Sequence, residues 1–163
     1  MYLPIVMDPN PILHKRGREL TLEEIKSTTI QKLAKDMVET MYTKDGAGIA
    51  APQVGHSIRL CVIGKMFNDL DHKKTDLILI NPVWTKKSVL KTTDIEGCLS
   101  VPKLYGKVKR YKKITVRALD INGKTLNFTA NDFFARVVQH EVDHLDGILF
   151  VEKATGLMEI EKE

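Results

Sequence analysis

Two histidines separated by three residues give this sequence its clearest chemical signal. Positions 139–147 contain His140-Glu141-x-x-His144, and on a helix the two imidazoles lie one turn apart on the same face. That spacing lets two neutral imidazoles bind one divalent cation. Glu141, between them, is placed to accept a proton from a water molecule bound to the same ion. The pattern therefore predicts a metal-dependent hydrolytic site.

A purely structural role for the two histidines is the alternative, because such pairs are often surface or core residues. The chain has only 5 His, however, and two of them have this spacing with a glutamate between them. The flanks also favour a buried helix: Thr129-Ala130-Asn131-Asp132 offers a capping box, and Gly147 offers a C-terminal stop. The apolar residues before the motif are Phe133, Phe134, Val137 and Val138. Since buried imidazoles need partners, we expect a metal ion.

Two histidines leave a catalytic metal site one protein ligand short. The metzincin pattern would place a third histidine at position 150, which is Phe150. Cys98 is the better candidate, because it lies between strand-like segments, next to Gly97 and close to polar residues. A thiolate there would complete a tetrahedral site with its fourth position open to water. Cys61 lies within an apolar strand, which favours a packing role.

The composition is that of an ordinary globular protein. At 163 residues, with 43% hydrophobic and 28% charged residues, we expect one domain over 1–163 with a short tail from about position 152. We see no membrane-spanning run, secretory signal or transit peptide. The net charge of +4 favours polyanion binding only weakly. Two cysteines form no disulfide framework, so we expect a reducing, cytoplasmic setting.

The first elements that could position the site are a helix and a glycine-rich segment. Apolar residues with a period of 3.6 predict a helix from about Leu22 to Thr43. Its buried stripe is predicted to contain Ile30, Leu33, Ala34, Met37, Val38 and Met41. Segment 45–55 matches neither a dinucleotide-binding fingerprint nor a phosphate-binding loop, so it is predicted to be a tight loop. Its most distinctive polar side chain is Gln53.

Alternating and apolar stretches predict strands in the rest of the chain. Strands are predicted at 57–63, 77–80, 114–119 and 124–128, with a hairpin turn at Asn122-Gly123. Together they indicate a mostly antiparallel sheet. The polar segment 64–76, which includes His72, is predicted to be a solvated loop. The polar tail after Glu152 is predicted to form a short helix or to fray.

Three blocks of the sequence, in this order, closely resemble the signature motifs of the peptide deformylase family. They are Gly46-Ala-Gly-Ile-Ala-Ala-Pro-Gln53, Glu96-Gly-Cys-Leu-Ser100 and Gln139-His-Glu-Val-Asp-His-Leu-Asp-Gly147. The opening Asp8-Pro9-Asn10-Pro11-Ile12-Leu13 is also similar to the N-terminus of that family. The resemblance covers nearly the whole chain. It weakens after Phe150, where many members continue into a longer C-terminal helix.

The resemblance implies an α+β fold, with antiparallel sheets packed around a central helix that carries the His-Glu-x-x-His motif. It implies an enzyme that removes the formyl group from the N-terminal formylmethionine of newly made proteins and releases formate. The matching residues are the metal ligands Cys98, His140 and His144, the general acid/base Glu141, and the oxyanion stabilisers Gln53 and the Leu99 backbone N–H. The implied cofactor is one divalent ion per chain, Fe(II) in the cell, with Zn, Ni or Co able to occupy the site.

The substrate is expected to bind as an extended strand, with backbone hydrogen bonds giving affinity for many sequences. Gly48, in the small-residue segment, and Gly97 are predicted to bind it. Phe133 and Val137 are predicted to line one apolar wall of a methionine pocket. Arg136 lies one turn before the histidine pair, where the family usually has an apolar residue. Its stem is expected to line the pocket while its guanidinium reaches solvent.

Two other functions stay open from the residues alone. One is a His-Glu-x-x-His metallopeptidase, which the missing downstream ligand and the cysteine block disfavour. The other is a structural-metal or nucleic-acid-binding module, suggested by a basic run with nearby Tyr105 and Tyr111. The run contains Lys103, Lys107, Lys109, Arg110, Lys112 and Lys113. Such runs are usually the solvated face of strands. We therefore expect no specific nucleic-acid site, and no membrane association is expected. The resemblance implies formylmethionyl peptides or nascent chains as partners, with possible proximity to the ribosome.

Overall fold

The computed structural model describes residues 1–70 and 74–160, in which two antiparallel sheets pack around a central helix. The strands are β1 (Gly48–Ala50), β2 (Leu60–Ile63), β3 (Leu77–Lys86), β4 (Lys91–Cys98), β5 (Val101–Tyr111), β6 (Lys113–Leu119), β7 (Thr125–Asn131) and β8 (Thr155–Glu159). One sheet has the strand order β1-β2-β3-β6-β7, and the other has the order β4-β5-β8. The α+β fold expected from the sequence is confirmed.

The helices are α1 (Leu22–Ile25), α2 (Thr28–Thr43) and α3 (Asp132–Leu145), and short 3-10 turns lie at Pro11–His14, Ala51–Val54 and Phe150–Glu152. The prediction of one helix from Leu22 to Thr43 is wrong only at residues 26 and 27, where the structure breaks it into α1 and α2. Ser27 is extended, and its side chain accepts a hydrogen bond from the Ile30 N–H, so it ends one helix and caps the next. The predicted apolar stripe of α2 is confirmed, since its members are buried or half-buried.

Strand β2 shows how the helices cover the larger sheet. Leu60 and Val62 point to the side where α2 packs, whereas Cys61 and Ile63 point to the side where α3 packs. All four residues are therefore buried, although side chains alternate between the faces of a strand. A strand covered on both faces has a continuous apolar sequence rather than an alternating one. Cys61 is a core residue, as its apolar surroundings predicted.

The two ends of α3 are formed differently. The predicted capping box is wrong, because Thr129 belongs to β7 and the Asn131 side chain makes no capping hydrogen bond. Strand β7 runs directly into the helix, with Asp132 at φ 53° as the turning residue. At the other end the prediction is confirmed. Gly147 has φ +78°, and a Cβ there would lie 2.7 Å from the His14 carbonyl carbon.

Several predicted strands have different limits in the structure. The first begins at Leu60 rather than at position 57, and the second continues to Lys86 past a register shift between Ile80 and Val83. The hairpin at Asn122-Gly123 is confirmed, with Gly123 at φ +81° and β6 paired to β7. The loop predicted at 45–55 contains β1 and the 3-10 turn that follows it.

The tail after Glu152 was expected to form a short helix or to fray, and for residues 155–159 that prediction is wrong; residues 161–163 lie outside the described residues. Residues Thr155–Glu159 form β8, which pairs with β5 and extends the three-stranded sheet. His72 lies outside the described residues. Within the ranges 1–70 and 74–160, no helix is both long and apolar enough to cross a membrane.

Candidate active site

Three predicted ligand residues meet at the junction of α3 and the β4–β5 hairpin. His140 and His144 lie one turn apart on α3 with their ring centroids 5.0 Å apart, and Cys98 is the last residue of β4. The Cys98 Sγ lies 3.3 Å from His144 Nε2, and one donor atom from each of the three residues lies within 4.8 Å of the others. The fold therefore brings together residues that are more than 40 positions apart in sequence.

The ring of His140 is oriented by a buried carboxylate. Its Nδ1 donates to Glu96 Oε1 at 2.9 Å, which leaves Nε2 free to face the other two residues. Burial acts to raise the pKa of Glu96, but hydrogen bonds from His140 and Arg110 outweigh it and hold that pKa well below its usual range. Glu96 therefore stays ionised in a buried position. For His144, no described group accepts or donates at Nδ1.

The electrostatics of this cluster favour a bound cation. Burial acts to lower the pKa of His140, but Cys98 and Glu96 outweigh it and raise that pKa to about 10. Burial and the neighbouring His140 hold the pKa of His144 well below its usual value. The neighbours of His140 therefore stabilise positive charge at this position. A divalent cation would supply that charge in the same place.

The three donors fit a metal ion by their chemistry and their surroundings. One sulfur and two imidazole nitrogens suit Fe(II), Co, Ni or Zn. Among the described residues, no further His, Cys, Asp or Glu belongs to the group. Cys98 and His140 also line a cavity, so a fourth coordination position on a bound ion would be accessible to water and substrate. An open fourth position is the mark of a catalytic rather than a structural site.

Glu141 lies in the same cavity but outside the ligand group. Its side chain is buried, its Oε1 has no hydrogen-bond partner among the described residues, and burial raises its pKa to about 7. A carboxyl group with a pKa near neutrality suits a general acid/base. Gly48 makes room for it, because a Cβ at that position would lie 2.8 Å from Glu141 Oε2.

Gln53 and Leu99 flank Cys98 from two different segments. The Gln53 Oε1 accepts from the Ala50 N–H at 3.0 Å, and its Nε2 lies 3.2 Å from Ser100 Oγ and 3.5 Å from Cys98 Sγ. The Gln53 side-chain NH₂ group is thus directed toward Ser100 and Cys98. Leu99 follows Cys98 in the turn between β4 and β5, and it lines the cavity.

The cavity has a volume of about 540 Å³ and is lined by all four of the predicted substrate-binding residues. Gly48, Gly97, Phe133 and Val137 all line it. Gly97 is close-packed, since a Cβ there would lie 2.6 Å from the Tyr105 ring. The residues that sequence reasoning missed in the lining include Ile5, Met7, Leu104 and Tyr105. They come from segments with no recognisable motif, so no sequence signal indicated them.

Arg136 differs from its prediction. It lines the cavity, as expected, but its guanidinium does not reach solvent. It donates instead to Glu96 and to backbone carbonyls of β4 and β5. Two further charged residues of this buried network, Arg110 and Asp143, were also missed. The available signal was the helical spacing of Arg136, His140 and Asp143, which places these three polar residues on one face of the helix.

The basic run at 103–113 is divided by the fold. Its five lysines are exposed, as expected for a solvated strand face. Arg110 is instead buried, with ion pairs to Glu96 and Asp143. The run is therefore not one continuous basic surface.

Comparison with known proteins finds one family. The family model described as Polypeptide deformylase matches residues 2–159. A peptide deformylase of Syntrophomonas wolfei is 45% identical over 150 residues, covering 92% of this chain and 91% of that protein. A peptide deformylase of Desulfotalea psychrophila is 43% identical over 155 residues, covering 95% and 89%.

Solved structures give the same result. The chain superposes on the Met-Ala-Ser-bound class I type b peptide deformylase from Acinetobacter baumannii with a TM-score of 0.86 and 36% identity, covering 94% of this chain and 98% of that one. For the peptide deformylase from Thermotoga maritima the TM-score is 0.85 at 32% identity, covering 95% and 99%. Both likenesses extend over nearly the full length of each chain.

Proposed function

This chain belongs to the peptide deformylase family. On that premise we propose how its residues catalyse the reaction. The enzyme removes the formyl group from the N-terminal formylmethionine of newly made proteins and releases formate. The observation that supports the assignment of roles is the meeting of Cys98, His140 and His144 beside Glu141 at the wall of one cavity.

Cys98, His140 and His144 would hold a single divalent ion, which is Fe(II) in the cell, with Zn, Ni or Co able to replace it. When bound, the ion supplies Lewis-acid chemistry, because it lowers the pKa of a water molecule and polarises a carbonyl oxygen. Glu96 supports the site by fixing the tautomer and the orientation of His140.

Glu141 moves the proton. It accepts a proton from the water that attacks the formyl carbon, and it then donates that proton to the amine nitrogen as the carbon–nitrogen bond breaks. Its buried position and raised pKa suit both steps, since the group must bind and release a proton near neutral pH. The products are formate and a peptide with a free N-terminal amine.

Gln53 and the Leu99 backbone N–H would stabilise the negative charge that develops on the formyl oxygen. The Gln53 side-chain amide is held beside Cys98, because Ala50 fixes its Oε1. Donors that are fixed before the reaction stabilise a transition state without reorganisation. A site bounded this closely would also admit a formyl group and exclude larger acyl groups.

The peptide would bind as an extended strand between β1 and β4, each of which lies at an edge of its sheet and lines the cavity. Gly48 and Gly97 allow the close approach of its backbone. Phe133 and Val137 would form an apolar wall for the methionine side chain. The Acinetobacter baumannii relative was solved with Met-Ala-Ser bound, which supports a peptide that begins with methionine as the occupant.

The proposed location of the enzyme in the cell follows from its substrate class. Formylmethionine stands at the start of newly made proteins, so the enzyme would act in the cytoplasm, close to the ribosome. Its contact there would be with the nascent peptide itself.

A pair of activity assays tests the proposal. The wild-type enzyme, prepared anaerobically, should release formate from a formyl-Met peptide and should leave the acetyl-Met peptide and all internal peptide bonds intact. Glu141→Gln should keep one metal ion per chain, and its turnover rate should fall by ~10²- to 10⁴-fold, the scale of general acid/base catalysis. Internal cleavage would favour the metallopeptidase instead. Near-normal turnover by the metal-loaded variant would refute the role of Glu141.

A further inference from the structure

Arg136 places a buried positive charge one helical turn before His140. Its Nη1 donates to Glu96 Oε2 at 2.7 Å and to the Val108 carbonyl at 2.9 Å. Its Nη2 donates to the Thr92 carbonyl at 2.8 Å. One guanidinium of α3 therefore binds the backbones of both β4 and β5. Its side chain is 5% exposed, so these bonds are shielded from water.

The carboxylate of Glu96 is enclosed by donors on both oxygens. Oε1 accepts from His140 and from Arg110 Nη2, and Oε2 accepts from Arg110 Nε and from Arg136. A buried carboxylate keeps its charge and its orientation only while such donors surround it. Arg136 therefore contributes to the orientation of the imidazole that Glu96 holds.

The same guanidinium spans the junction at which the ligand residues meet. Cys98 belongs to β4, whereas His140 and His144 belong to α3. The distance between the sulfur and the imidazoles thus depends on how firmly α3 is held against the hairpin. Arg136 belongs to α3, one turn before His140, and it donates hydrogen bonds to Glu96 and Thr92 of β4.

We propose that Arg136 is a positioning residue for the metal site: it holds Glu96 against His140, and it ties α3 to β4 so that Cys98 and the two histidines keep their spacing. This inference rests on the proposed function, because it takes those three residues as the ligands. Arg136 acts through Glu96 and through β4 and β5, to which its guanidinium is hydrogen-bonded. Arginine suits the role better than lysine, since its planar group directs several donors to fixed acceptors at once.

The test compares two buried arginines that both hold α3. Arg136→Met keeps an unbranched apolar stem in the cavity wall but loses every donor. Arg59→Met is the matched control, because Arg59 is also buried, donates to the Leu145 carbonyl and forms an ion pair with Asp146 at the other end of α3, away from the cavity. Affinity for Ni(II) is measured for each variant by competition with a fluorescent chelator, a readout that needs no turnover.

We expect Arg136→Met to bind Ni(II) about tenfold more weakly than wild type, the lower end of the effect of residues that orient metal ligands. Arg136→Lys should recover part of the affinity, and Arg59→Met should bind Ni(II) like wild type. In the Ni(II)-loaded Arg136→Met enzyme, kcat for a formyl-Met peptide should fall while KM stays nearly unchanged. If Arg136→Met does not fold, Arg136→Lys against Arg59→Lys makes the same comparison.

Equal Ni(II) affinity in the Arg136 and Arg59 variants would overturn the inference. A large rise in KM with unchanged metal affinity would also overturn it, because Arg136 would then contact the substrate rather than position the metal site. Absence of deformylase activity in the wild-type enzyme is a different result. It would refute the proposed function, whereas the metal comparison would still decide the role of Arg136.

Discussion

Gly48 lies where a single added carbon would disturb the general acid/base. A Cβ there would come within 2.8 Å of Glu141 Oε2 and 2.9 Å of the Val62 carbonyl oxygen. We expect Gly48→Ala to displace the Glu141 carboxylate and to lower kcat by ~10²-fold, as displacements of about 1 Å can do. Metal content should not change, because Glu141 is not a ligand. Steady-state kinetics measure the change in kcat, and metal analysis checks that the metal content is unchanged. A fully active variant would contradict the assigned geometry.

The two cysteines form a matched pair for testing the ligand set. Cys98→Ala should lose most of the bound metal, because it removes the only sulfur of the donor group. Cys61→Ala should keep the metal and lose roughly 1 kcal/mol of unfolding free energy, since Cys61 is fully buried in the core. Metal content after dialysis and denaturant unfolding measure the two effects. Equal metal occupancy in both variants would show that Cys98 is not a metal ligand.

At the residue scale, the sequence is informative where a motif fixes spacing and poor where partners are distant. His140 and His144 could be paired from sequence because a helix alone sets their geometry. The role of Glu96 could not be read in the same way. It depends on donors from β5 and α3, 14 to 44 positions away. The predicted direction of the Arg136 guanidinium was wrong for the same reason, because the acceptors near a side chain are set only by how the elements pack.

At the scale of elements, α1 is stabilised by charge at its first turn. Thr21 and Glu24 form a capping box, and Arg18 donates to the Glu24 carboxylate at 2.8 Å. The hydrogen bond from Arg18 and that from the Thr21 N–H lower the pKa of Glu24 from 4.5 to about 2. A lowered pKa in the folded state means that the ionised carboxylate favours folding.

Glu24 should therefore contribute a pH-dependent part of stability. The contribution is complete above the unfolded-state pKa of 4.5 and disappears as the pH falls through about 2. We expect Glu24→Gln to lower Tm slightly at pH 7, because the group is exposed. The difference from wild type should narrow as the pH is lowered from 5 toward 3. Thermal melts of both proteins across that range measure the difference in Tm. A difference that does not depend on pH would contradict the stabilising role assigned to the Glu24 carboxylate.

Long-range pairing explains which elements the sequence could not define. The apolar period located α2, and the Asn122-Gly123 turn located the β6–β7 hairpin, since both signals are local. Strand β8 has no such signal, because all five of its residues are exposed and its strand conformation depends on β5, about 50 positions earlier. The register shift that lengthens β3 past Asn81 is likewise a property of its pairing with β6.

At the scale of the whole molecule, the cavity between the two sheets predicts how substrates are ranked. In the proposed binding mode, only the first side chain would meet an apolar wall, whereas the later residues would be held by their backbone. Replacing methionine by alanine in a formyl peptide should lower kcat/KM. The loss should correspond to roughly 2 to 3 kcal/mol of transition-state stabilisation, the scale of burying one such side chain. Substitutions at the second and third residues should cost much less. Kinetics on a peptide series measure this, and equal costs at all three positions would contradict strand-like binding.

The free edges of β1 and β4 on the same cavity have a consequence for turnover. A peptide lying between them would be bonded through its own backbone, which deformylation leaves unchanged. Those bonds hold the substrate and the product equally, so they lower KM without accelerating the chemical step. Longer peptides should therefore bind more tightly and also leave more slowly after reaction. For a long nascent chain, departure from the groove rather than hydrolysis would then limit the rate of each cycle.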